Sequence, residues 1–272
     1  MAERGILGNT VSRRVFVRVG AELALGGAAS LAIGCSKEVE PEAPRLFIVD
    51  QLSLTDDGGD EFLYSTGFAF QRAGFQVARI PAGDVYVERF RELALYKPRV
   101  LIIRSHTTSS RVTETGLKED NVVFFTSQLW DDALYQEEVR DGLLAKVRFL
   151  PGFANEGKGP YFGVRPPFIE KAVKGKFSKG TTVVASGCDS LKNDTMADAF
   201  FEKGVAAYFG WKGEVTADHT DGAVRILAEY MIQRNILRPQ QIVEVINDQL
   251  GPDPVYGGVL AVKVNPNPKV WG

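Results

Sequence analysis

Apolar residues in this chain fall into short runs divided by polar or turn-forming stretches, and the spacing within the runs changes period. Arg45-Leu46-Phe47-Ile48-Val49-Asp50 is a compact apolar run of the kind that a buried strand requires. Between Glu61 and Ala73 the apolar positions Phe62, Leu63, Phe68, Ala69 and Phe70 follow a helical period, and Gly74 supplies a stop. A second strand is predicted over residues 75–80, ended by Pro81, and a helix through residues 87–94. Pro98 breaks that helix, and residues 99–104 form a third strand. Strand, helix, strand, helix, strand implies right-handed crossovers and a parallel sheet covered on both faces.

The middle of the chain is less regular. Residues 121–126 read as a strand and residues 130–144 as a helix. Residues 147–180 hold Pro151, Pro160, Pro166, Pro167 and six glycines, so they read as long loops or an insertion, with a hairpin at most. Regular patterning resumes with a strand over 181–186, a helix over 194–203, a strand over 205–209 and helices over 221–233 and 240–250. Residues 257–264 suit an edge strand. The expected fold class is α/β, a three-layer α/β/α sandwich with a mostly parallel sheet.

The first forty residues change the picture. Ser12-Arg13-Arg14-Val15-Phe16-Val17-Arg18 precedes an apolar run, Val19 to Gly34, whose only charge is Glu22. That run is short and glycine-rich against the roughly 20 strongly apolar residues of a spanning helix. A charged start, a short apolar stretch and small residues before a cut site make a signal peptide. The segment resembles twin-arginine translocation signals, with Arg13 and Arg14 as the paired arginines. Leu31-Ala32-Ile33-Gly34-Cys35 resembles a lipobox, which implies lipidation of Cys35. Residues 1–34 are therefore expected to be the signal, 35–44 a lipidated stalk rich in charge and proline, and 45–272 a single α/β domain. The expected location is extracytoplasmic, periplasm or cell surface, anchored through lipid after passage through the twin-arginine translocase.

Charge adds an exclusion. The chain has 32 basic and 34 acidic residues; residues 1–34 hold four and two of them, which leaves 28 against 32 and a formal charge of −4. That balance is no nucleic-acid footprint, and no basic stripe stands out along the sequence. With Cys35 lipidated, Cys188 is the only thiol left of two cysteines. In an exported protein a lone cysteine pairs between molecules, is kept for its reactivity, or is simply buried.

Two reactive side chains follow strand ends, where parallel sheets bind ligands. His106 lies two residues past the third strand, in Ile103-Arg104-Ser105-His106-Thr107, and Cys188 two residues past a later one, in Ala185-Ser186-Gly187-Cys188. If those strands are neighbours, imidazole and thiol share one rim, and an imidazole within reach would depress the thiol pKa. Gly187 would let a substrate carbonyl approach the backbone, with the Cys188 N–H as an oxyanion donor.

A strand ending in His and a later strand ending in Gly-Cys resemble the caspase-like cysteine peptidases, a group that includes clostripain, gingipains and CHAT domains. Met196 to Trp211, an apolar helix ending at Gly204, then a strand and Gly210-Trp211, is similar to the CHAT and gingipain-like segment. The resemblance covers residues 98–106 and 181–234. It implies a caspase-like fold and a peptidase acting on a peptide or protein substrate without a cofactor, with His106 as base and Cys188 as nucleophile. The family's histidine is usually followed by a glycine whose N–H helps form the oxyanion hole. Thr107 stands there in this chain and crowds the approach. The alternative is therefore a catalytically inactive member that binds a ligand or partner at the same rim.

His219, in Thr216-Ala217-Asp218-His219-Thr220-Asp221, has two readings: part of an N-cap loop, in which Asp218, Thr220 or Asp221 caps the following helix, or a substrate contact. The histidine and cysteine spacings match no zinc motif. Asp56-Asp57-Gly58-Gly59-Asp60 lacks the spacing and terminal glutamate of a calcium loop.

Overall fold

In the computed structural model, which describes residues 43–55, 59–109, 111–112, 118–119, 121–149, 159–233 and 237–271, the apolar runs become the strands of one six-stranded sheet. Arg13, Arg14, Cys35 and Asp56 to Gly58 lie outside the described residues. Residues Glu42–Gly272 form one compact unit.

In chain order the strands are β1 (Arg45–Asp50), β2 (Gln76–Ile80), β3 (Val100–Arg104), β4 (Thr107–Thr108), β5 (Arg111–Val112), β6 (Lys118–Glu119), β7 (Val123–Leu129), β8 (Leu144–Val147), β9 (Tyr161–Val164), β10 (Thr182–Ser186), β11 (Ala207–Lys212) and β12 (Val259–Val264). The helices are α1 (Gly59–Phe62), α2 (Phe68–Arg72), α3 (Val87–Arg91), α4 (Gln136–Arg140), α5 (Pro166–Ala172), α6 (Thr195–Glu202), α7 (Ala217–Ile232) and α8 (Pro239–Leu250). A π-helical turn, Leu63–Gly67, joins α1 to α2.

The main sheet runs β12-β11-β10-β3-β1-β2, with every pairing parallel except β11 with β12. Burial on both faces explains why these strands are unbroken apolar runs. One face holds Phe47, Val49, Leu101, Ile103, Val183 and Ala185 against α3, α5 and α6, through Phe90, Phe168 and Phe200. The other holds Leu46, Ile48, Ile102, Val184 and Phe209 against α7 and α8, through Val224, Leu227 and Ile246. The fold is α/β, built on a mostly parallel mixed sheet with helices on both faces.

Two segments differ from the pattern-based expectation. The helix expected over residues 130–144 shrinks to α4. Asp131 closes a turn by accepting from the Ala133 N–H (2.8 Å), and Tyr135 and Gly142 both take positive φ. The described part of residues 147–180 is not all loop: β9 pairs antiparallel with β8, and α5 follows with proline in its first turn. Proline there loses no intrahelical bond, since the first N–H groups of a helix have no partner within it. β4, β7, β9 and β8 form a second, antiparallel sheet. Its Phe124, Phe162 and Val164 extend the first core, while Val123, Phe125, Ala145 and Tyr161 form a separate cluster on the reverse face.

Candidate functional site

β3 and β10 are neighbours in register, with Arg104 opposite Ser186. His106 and Cys188 therefore leave the sheet at equivalent points, each two residues past that paired position. The Ser105 N–H reaches across to the Ser186 carbonyl (3.1 Å) and holds the two exits together. A side chain at Gly187 would place Cβ 2.1 Å from the Ser105 carbonyl oxygen. Gly187 thus serves the close approach of the two strand exits, and protein backbone fills the space expected for a substrate carbonyl.

The histidine is held by residues that follow β1. Gln51 Oε1 accepts from the His106 backbone N–H (2.9 Å), and Gln51 is itself fully buried. Thr55 Oγ1 lies 2.6 Å from His106 Nε2 and 3.1 Å from the Leu52 carbonyl. A hydroxyl has one proton, and the Leu52 carbonyl can only accept it. The tautomer follows the hydroxyl: where it donates to the Leu52 carbonyl, Thr55 accepts from Nε2–H, and where it donates to Nε2, the ring proton sits on Nδ1. The edges of Phe149 (5.1 Å between ring centroids) and the more distant Phe125 wall the imidazole.

The thiol faces elsewhere. Cys188 Sγ donates to the Val215 carbonyl and accepts from the Val215 N–H, both at 3.4 Å, and it packs at the border of the core that contains Trp211 and Val215. Among the described residues no hydrogen bond joins imidazole to thiol. Burial pushes the thiol pKa up, and the carboxylates of Glu214 and Asp189 push the same way, against the Val215 bond. The depressed pKa expected of an imidazole-paired thiol is not what this surrounding produces.

The backbone around Cys188 is pinned. Thr107 donates its side-chain hydroxyl to the Cys188 carbonyl. Asp189 has φ of 55° and donates its N–H to the Gly213 carbonyl (2.8 Å), while its carboxylate accepts from Ser109 (2.9 Å). A non-glycine residue in the left-handed region costs about 1 kcal/mol or more. Here two neighbouring segments, residues 107–109 and Gly213, hold it.

Beneath the rim lies an ion network with no counterpart in the sequence expectations. Arg104, fully buried, makes a fork to Asp221 (2.9 and 2.7 Å) and reaches Asp50 (3.0 Å) and Ser53 (3.1 Å). Arg79 binds the other oxygen of Asp50 at 2.5 Å, and the Arg104 guanidinium sits over the Phe62 ring. Two carboxylates and two guanidiniums compensate one another where lone charges would be prohibitive. A polar residue closing each of two otherwise apolar strands, Asp50 and Arg104, was the available sequence signal.

His219 is the third residue of α7. The cap is Thr216, whose hydroxyl accepts from the His219 N–H (3.4 Å); Asp218, Thr220 and Asp221 lie inside the helix. The His219 ring leans on Trp211, with 5.5 Å between centroids, and its Nε2 is buried without a hydrogen-bond partner. Asp253 fixes this corner by accepting from both the Thr216 N–H and its hydroxyl (2.8 and 2.7 Å). Burial would raise the Asp253 pKa, but those bonds and the Val255 and Tyr256 N–H groups outweigh it and hold the group at about 2.

Among the described residues no group of His, Cys, Asp or Glu is arranged to hold a metal, and no helix is long and apolar enough to cross a membrane. No protein-family model matches the chain, and no curated protein matches it significantly.

Proposed function

We propose that the chain is an exported, lipid-anchored thiol hydrolase of caspase-like fold that cleaves peptide bonds at the carboxyl rim of its sheet. The observation that carries this reading is the parallel register of β3 and β10, which brings the exits to His106 and Cys188 side by side. A second feature supports it: Thr55 Oγ1 holds the imidazole at Nε2, the arrangement in which a third group aligns a general base.

In this reading the Cys188 sulfur attacks the peptide carbonyl carbon, its proton passes to the His106 imidazole, and that proton goes to the departing amine. Water then cleaves the thioester, releasing the acid and restoring the thiol. The Cys188 side chain must first leave Val215, so the resting enzyme is uncoupled and substrate binding aligns it.

A second reading, a binding module that keeps the fold without the chemistry, is favoured by the thiol's two bonds to Val215 and its raised pKa. A broad peptide library separates the two. Cleavage by the parent that disappears in both Cys188→Ala and His106→Ala supports the hydrolase. An intact library, with Cys188 alkylated only after denaturation, leaves the binding module.

A further inference from the structure

The connections at the amino ends of β3, β10 and β11 share one charge, and those beside α8 and β12 carry it too. Lys97 and Arg99 lead into β3, Lys174, Lys176 and Lys179 into β10, and Lys203 into β11; Arg238 precedes α8 and Lys269 follows β12. The described residues of these connections (43–44, 73–75, 97–99, 173–181, 203–206, 233, 237–238 and 265–271) contain no Asp or Glu. The opposite rim carries Asp189, Glu214, Asp218 and Asp253. The domain, residues 45–272, holds 27 basic and 29 acidic residues, a formal charge of −2, and yet this edge is basic from β3 to β12.

The edge is continuous. The Thr182 N–H donates to the Arg99 carbonyl, Ala206 to Thr181, Phe177 to Lys203, Asn265 to Ala206 and Gly180 to Val270, so the connections are stitched to one another. All of these basic side chains are exposed except Lys203, which is half-buried. Among the described residues none of them is paired with a carboxylate. Burial and the charge of Lys176 both lower the Lys203 pKa, as expected where cations crowd without counterions. Apolar groups accompany the charge: Leu95 is 53% and Trp271 37% exposed, and Trp271 lines a cavity of about 530 Å³ with Arg238 and Val264.

The chain enters at this same edge, because Pro44 immediately precedes β1 and accepts from the Gln76 N–H at the start of β2. A stalk of residues 36–44 reaches about 30 Å at most. It would hold the edge within contact of whatever surface carries Cys35.

We propose that this basic edge is a docking face for an anionic phospholipid surface, the membrane that carries the anchor. Lysines held near such a surface are attracted to its phosphates, and a tryptophan suits the headgroup zone. The identity of the surface rests on the anchoring reading; the charge of the face does not.

The test uses the purified full-length chain carrying Cys35→Ser, so that lipidation plays no part. Its partition is measured on neutral phosphatidylcholine vesicles and on vesicles containing phosphatidylglycerol. Binding should favour the anionic vesicles and weaken with salt. In the same background, Lys174→Gln, Lys176→Gln and Lys179→Gln together should reduce anionic binding on the order of a hundredfold. Thermal unfolding checks that the variant folds, which exposed positions allow. Equal binding to both vesicle types, or a triple variant that binds as its parent does, overturns the proposal. So does binding of a single-stranded oligonucleotide through these lysines without affinity for anionic vesicles, which would make the partner a nucleic acid. Whether Cys35 is lipidated is read separately, by fractionating cells that express the parent and Cys35→Ser.

Discussion

The side chain of Thr107 is bonded to the backbone of Cys188: the threonine hydroxyl donates to the cysteine carbonyl across the gap between the exits of β3 and β10. The residue that follows the histidine thus fixes the residue proposed to be the nucleophile. Thr107→Val keeps the shape and removes the donor. It should cost about 1–2 kcal/mol in urea unfolding, the penalty of a lost bond to a part-buried carbonyl. It should also raise the rate at which iodoacetamide alkylates Cys188 in the folded protein. An unchanged rate would mean that this bond does not limit access to the thiol.

The raised thiol pKa has a definite sign in folding. The unfolded thiol ionises near its ordinary value, about 8.5, and the folded thiol above its own ordinary value because of burial. Its contribution to stability is therefore complete below the unfolded value and is lost as pH rises through the folded one. Urea midpoints taken from pH 7 to 10.5 should fall more steeply for the parent than for Cys188→Ala. Glu214→Gln should lower the pH at which alkylation begins, since that carboxylate opposes the thiolate. Parallel slopes in the parent and Cys188→Ala would place the thiol in an ordinary environment.

The buried network makes a larger prediction. Asp221→Ala removes the fork from a guanidinium with no exposed surface. It should destabilise by about 3 kcal/mol, because the remaining charge is left short of counterions. Exchanging Arg104 for Lys should not restore stability, since an ammonium cannot make the planar fork. Equilibrium denaturation of both variants measures this, and a loss below about 0.5 kcal/mol for either would show that the network carries little.

Asp253 gives the acid counterpart. Its pKa of about 2 lies below the ordinary carboxylate value. The stability it supplies is present above pH 4 or so and is lost as pH falls through the folded value. Asp253→Asn should cost about 1–2 kcal/mol at neutral pH, as expected for a weakened helix-capping corner. The difference between parent and variant should shrink on titration toward pH 2. A difference that stays constant would assign the loss to packing.

Much of the main sheet could be read from the sequence, because strands buried on both faces must be continuous apolar runs, as β1, β3 and β10 are. The exits that carry His106 and Cys188 followed from the same runs. What those side chains touch did not, since it depends on Gln51 and Thr55 after β1 and on Val215 before α7, each far off in sequence. The helix expected over residues 130–144 failed because Asp131 and Tyr135 impose turns that an apolar period cannot report. α5 was hidden by Pro166 and Pro167, which are also loop residues. The basic edge was invisible for a simpler reason: its lysines and arginines come from separate connections, and only the sheet gathers them.

The parallel strands also act as a spacer. Basic connections lie at one end and Cys188 at the other, and a six-residue strand such as β1 is about 20 Å long. With the basic edge laid on a bilayer, as proposed, the rim that carries the thiol would stand roughly that far above the headgroups. A segment lying flat in the interface would then be out of its reach, and a membrane-bound substrate would have to project at least about six extended residues upward. In that proposed arrangement the architecture would select by height: soluble chains and the tips of long stalks would arrive at the rim, while material close to the lipid would not.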